Sequence, residues 1–220
     1  MDITKHINSQ KINHIMTTLR YALYVITHPL DGFWDLTHEK RGSVAAANII
    51  IGLVLLTKVW KLQFTSFLFM KVQWEYINIF QEILTVLLPL IIGCIANWSL
   101  TTLFDGKGTF KDIYMAMGYA LTPYVLIQLP MIFISNLLIA GEGAFYYYIN
   151  TFATLWCVML VISAMMMIHD FSIGKALVAL GATLVGILVI VFLILLFFSL
   201  ISDGVAYFVS LYKEIVFRFY

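Results

Sequence analysis

Charge is scarce in this chain. Asp, Glu, Lys and Arg make up 11% of its 220 residues, and 62% are hydrophobic. A soluble domain carries about 25% charge; with less than half of that, a folded surface cannot be covered with polar groups. The scarcity is also concentrated: residues 42–57, 83–104, 113–140, 144–168 and 176–201 contain no Asp, Glu, Lys or Arg at all. A hydrocarbon core about 30 Å thick needs roughly 20 apolar residues in helix at about 1.5 Å each. Four of the stretches meet that length. The first does so if Lys58 and Lys61 lie near its end and carry their ammonium groups to the interface.

Other absences narrow the function. A net charge of +1 gives no concentrated basic face, which excludes nucleic acid as a partner. The two cysteines, Cys94 and Cys157, both fall in predicted spans and read as small apolar filler. No cleavable signal peptide is visible, because the first strongly apolar run starts only after Gly42. His38-Glu39 lacks the second histidine of a zinc-protease HExxH, and no GxSxG occurs. No two acids sit at mid-membrane depth, so an aspartyl dyad is excluded, and the lack of interior charge weakens ion-coupled transport. Gly106-Lys107-Gly108-Thr109 has neither the spacing nor the preceding strand of a phosphate-binding loop. These absences point to no enzyme, no metal and no cofactor.

What is present begins with a leader. Ile12, Ile15, Met16, Leu19, Leu23 and Ile26 recur at helical spacing and predict an amphipathic helix over 10–28, ended by Pro29. It would lie in the headgroup plane or dock on the protein's own bundle. The densest polar-aromatic cluster follows at 28–43. Trp34, Lys40 and Arg41 suit a membrane flank, but Asp31, Asp35 and Glu39 fall four apart and would share one helical face. Anchoring alone does not call for three acids, so Asp31, Trp34, Asp35 and Glu39 are candidate partner-binding residues. At the other end, residues 205–220 mix aromatics with Lys213, Glu214 and Arg218 and read as an interfacial helix.

Within the spans, Asn97 is a buried amide that should face another helix, as interhelical glue or as part of a ligand site. Asp105-Gly106 followed by Gly108 supplies the positive φ angles of a tight helix connection. Pro123 and Pro130 should kink the third span. His169-Asp170 is either a helix-terminal His whose charged form suits the helix dipole, or part of a metal or proton site.

The order of these features resembles the Yip1 domain family over roughly residues 28–201. It comprises a polar leader, a Trp-containing cluster, five spans, and a short Asp105-Gly106 loop feeding Gly118-Tyr119 and Pro123. Of the DLYGP-type motif of eukaryotic members only Asp35-Leu36 has a counterpart, and Thr37-His38 replace the remainder. The chain is therefore more similar to bacterial members. The resemblance implies a non-catalytic membrane organiser; eukaryotic members bind prenylated small GTPases.

The expectation is an all-α membrane protein of five transmembrane helices with an N-terminal amphipathic interfacial helix. Residues 1–42 would form a cytoplasmic leader, 43–201 the Yip1-like bundle and 202–220 an external tail. Eight Lys and Arg fall on the leader side against five on the other, which predicts a cytoplasmic N-terminus in a cell membrane. The lipid bilayer and another membrane protein or complex are the expected partners, and a homo-oligomer is compatible with the sequence. The rival is a small channel or carrier built around Asn97, Tyr119, Asn136 and the broken third span; an enzyme acting on lipid would need His169-Asp170 or His38-Glu39 to be catalytic.

Overall fold

Several helices of the computed structural model begin at a proline or at a capping side chain. The structure describes residues 2–70 and 77–219, with side chains from Asn13 onward. Ile12 of the expected apolar stripe thus lies outside the described side chains. Helix α1 covers Asp2–Thr27 and α2 Pro29–His38, separated at His28 because Pro29 sits at the first helical position. Helix α3, Val44–Phe64, is capped by Ser43, whose hydroxyl accepts from the Ala46 N–H at 3.0 Å. Helix α4, Ile79–Thr101, is capped by Asn78 in the same way. Thr109 and Asp112 close a capping box at the start of α5, Phe110–Ala120. Pro123 splits the third span at Leu121, so that α6 runs separately over Thr122–Ile134. Helix α7 spans Gly143–His169 and α8 Ile173–Phe219. No strand occurs among the described residues.

Among the described residues, five stretches are long and apolar enough to cross a membrane: Val44–Phe64, Ile79–Phe104, Phe110–Ile134, Ala140–His169 and Ile173–Phe219. This is an all-α, multi-pass membrane protein. Helices α3, α5/α6 and α7 pack together at the centre, α4 pairs with α8 on one flank, and the α1–α2 hairpin closes one end of the bundle. That end also holds the α4–α5 connection.

Three features depart from the sequence reading. The residues after 201 form no separate helix. Helix α8 continues unbroken to Phe219, because Ser202-Asp203-Gly204 contains no proline and a lone glycine costs a helix only about 1 kcal/mol. At about 1.5 Å per residue its length is near 70 Å, more than twice a hydrocarbon core. Second, Lys61 does not reach outward from the end of α3. Its ammonium turns into the bundle and donates to Gln128 Oε1 at 3.0 Å and Asn150 Oδ1 at 2.9 Å. Third, Asn136 lies just past the end of α6 rather than within that helix; it is exposed and donates to the Phe64 carbonyl at 2.7 Å.

Candidate docking surface

The α1–α2 hairpin is a folded unit built on the bundle. Thr18, Ala22 and Val25 of α1 and Phe33 and Leu36 of α2 are buried. The leader helix is thus docked on its own protein through a face shifted from the predicted stripe; Met16 and Leu23 stay exposed. Gly32 permits the close crossing of the two helices, since a Cβ there would lie 2.9 Å from Val25 Cα. The Tyr21 hydroxyl then bridges them, donating to Asp35 Oδ2 at 3.1 Å. Burial and the adjacent Asp35 carboxylate push the Tyr21 phenol well above its ordinary pKa.

This geometry separates the four expected partner-binding residues. Asp35 points inward to Tyr21 and pairs with Arg41 at 3.3 Å. Glu39 lies just past the end of α2 and pairs with Arg41 as well. Asp31 and Trp34 face outward with Leu30 and His38. The Trp34 indole is 42% exposed and stacks on His38 at 3.6 Å between ring centroids. The three acids therefore do not present one common face.

Beneath the hairpin, the Tyr119 side chain is fully buried and its hydroxyl ties three elements together. It donates to the Thr18 carbonyl at 3.0 Å and accepts from the Ser43 N–H at 3.4 Å. Gly118 makes this possible: a Cβ there would come within 2.8 Å of Ala47 Cβ, so only glycine lets α5 lie so close to α3. Pro123 is buried at the α5–α6 break, where the Thr122 hydroxyl donates to the Tyr119 carbonyl at 2.6 Å.

The second polar cluster lies at the α4–α5 loop. Asn97 is buried and donates to Thr183 Oγ1 at 3.0 Å, while its carbonyl oxygen lies 3.3 Å from His169 Nε2. His169 Nδ1 accepts from the Gly108 N–H at 3.2 Å. A ring nitrogen that accepts carries no proton, so His169 is the neutral Nε2–H tautomer and Asn97 Oδ1 is its acceptor. The expected charged, dipole-facing histidine is thus corrected: His169 is a buried staple joining α7, α4 and the loop. Its neighbour Asp170 takes φ 54° at the helix end and pairs with Lys107 at 2.8 Å.

The loop's left-handed residue also differs from expectation. Asp105, at φ 59°, supplies the positive angle, and no glycine among the described residues does. Gly106 and Gly108 are needed for closeness instead. A Cβ on Gly106 would lie 2.6 Å from His169 Nδ1, and one on Gly108 2.4 Å from Ile168 Cγ2. Sequence reasoning gave no signal for His169–Gly108, Tyr21–Asp35 or Thr18–Tyr119, whose partners are far apart along the chain.

A family model, the Yip1 domain, matches residues 23–202. The chain belongs to the Yip1 domain family. The match takes in the last turn of α1, all of α2 and the bundle, and ends where α8 passes Ile201. Helix α2 therefore lies within the matched Yip1 domain, whereas most of α1 precedes it. No curated protein and no solved structure matches the chain.

Proposed function

We propose that this Yip1-domain protein is a non-catalytic adaptor of a cell membrane that docks another membrane protein or complex through the α1–α2 hairpin. The observation that carries the reading is Trp34. It is a large aromatic held rigidly by stacking on His38, exposed on a helix whose opposite face, Phe33 and Leu36, is wholly buried. Trp is enriched among the residues that dominate binding energy, and a pre-ordered side chain loses little entropy on association. Asp31 beside it adds a charge that selects the partner's sign. Asp35 and Glu39 act through Arg41, by holding the hairpin rather than by touching the partner. Gly118, Tyr119 and Pro123 shape the bundle under it, with Asp105 and Gly106 in the neighbouring loop.

The same reading places the hairpin in the cytoplasm. Arg20, Arg41, Lys107, Lys111 and Lys175 belong to the hairpin end, whereas Lys58 and Lys61 lie toward the far end of α3. The α8 extension would then project on the external side.

Affinity purification from gently solubilised membranes tests the docking. A specific membrane partner should co-purify, be lost on Trp34→Ala, and be retained on Leu188→Ala at the exposed surface of α8. Recovery of the bare protein with no enriched species would count against an adaptor.

A further inference from the structure

At the end of the bundle opposite the hairpin lies a second polar site that the docking reading does not use. A cavity of about 270 Å³ is lined by Lys58, Lys61, Thr65, Tyr124 and Tyr146, with Leu62, Phe69 and Met70 as apolar wall. That is roughly nine times the ~30 Å³ share of one water. Lys61 stands in the last turn of α3, and its ammonium is held by the side-chain oxygens of Gln128 and Asn150. Asn150 is itself oriented by donating to the Tyr146 carbonyl at 2.6 Å.

Three observations point to a missing anion. An ammonium has three donors, and Lys61 uses two on neutral amides, with no carboxylate partner among the described residues. Lys58, one turn earlier on the same wall, brings a second positive charge that Glu82 balances at 3.2 Å. The described charges of the site thus leave one positive charge uncompensated. Finally, the Thr65 hydroxyl is buried at the cavity wall within reach of Tyr146, and no hydrogen bond of full geometry ties it there. A charge in apolar surroundings is costly unless it is paired, and a weakly held hydroxyl beside it can turn to donate to an anion. The shallow position, about one turn inside the end of a membrane helix, is where lipid headgroups meet protein.

We propose that this cavity binds a phosphate oxyanion, with Lys61 and Thr65 as the direct donors, Lys58 as the second cation, and Leu62, Phe69 and Met70 packing against the apolar part of its carrier. Phosphate could arrive on an anionic phospholipid or free in solution, and both present the same oxygens.

The full-length protein, purified in neutral detergent, is titrated separately with phosphatidylglycerol, phosphatidylcholine and inorganic phosphate, reading thermal unfolding by tryptophan fluorescence. A saturable rise in Tm with phosphatidylglycerol that exceeds the rise with phosphatidylcholine assigns the lipid source. A saturable rise with inorganic phosphate assigns the free ion. Lys61→Gln should abolish whichever response occurs. Should that variant fail to fold, Thr65→Val, which keeps the shape, should weaken the apparent affinity about tenfold through loss of one charge-assisted bond. The proposal is overturned by the absence of any saturable response to both phosphate sources, or by Thr65→Val and a folded Lys61→Gln that respond as the wild type does.

Discussion

Replacing Tyr119 by Phe removes one oxygen atom from the centre of the structure, and its effect can be worked out from the contacts. The hydroxyl is fully buried, donates to Thr18 O at 3.0 Å and accepts from Ser43 N at 3.4 Å. The first bond is well formed, and a typical net contribution is about 0.5–1.5 kcal/mol. The second is long, and Ser43 is only partly buried, so water can replace it at small cost. The Thr18 carbonyl stays within the α1 backbone ladder, which limits the penalty of leaving it. The ring remains and no cavity opens. The sum is about 1–2 kcal/mol, and it should fall on the docking of α1 rather than on the bundle. Hydrogen exchange by mass spectrometry should show the amides around Thr18–Ala22 exchanging roughly 5–30-fold faster, with α5 and α7 unchanged. Unaltered exchange in α1, or loosening of the whole bundle by more than about 4 kcal/mol, would refute Tyr119 as the tie between leader and bundle.

Gly118→Val should cost about 1–3 kcal/mol or more by forcing α5 off Ala47, whereas Gly52→Ala, with open space around it, should be neutral or slightly stabilising; thermal unfolding in detergent compares them. Gly108→Ala should cost a similar 1–3 kcal/mol, because its Cβ would meet both Ile168 and the His169 ring; limited proteolysis at the loop should speed up. Tyr21 gives a pH dependence. Its folded pKa lies above the unfolded value of about 10, so its contribution is complete below pH about 10 and is lost as pH rises through the raised folded value. The hairpin should accordingly loosen at alkaline pH in the wild type, while Tyr21→Phe removes that dependence; fluorescence of Trp34 against pH reads both.

The spans were legible because hydrocarbon imposes a simple rule: a long run without charge has no other stable place. The breaks at Pro29 and Pro123 were legible for an equally local reason, the steric effect of proline on its neighbours. The side-chain geometry was not. His169 looked like a dipole-facing cation because its two partners, Gly108 and Asn97, lie 61 and 72 residues away. The glycines of the α4–α5 loop looked like turn formers, and only the packed histidine shows that closeness is what they supply. Lys61 was expected to reach outward because the amides that receive it belong to α6 and α7. On the candidate surface, four-residue spacing suggested a common acidic face; the crossing of α1 and α2 turns Asp35 to Tyr21 and leaves Asp31 and Trp34 exposed.

The claim that the hairpin is a docking surface is tested most directly in living cells. A photo-crosslinking amino acid placed at Leu30, exposed beside Trp34, should yield a discrete protein adduct that disappears when Trp34→Ala is added. Only uncrosslinked protein, or an adduct indifferent to Trp34→Ala, would contradict it.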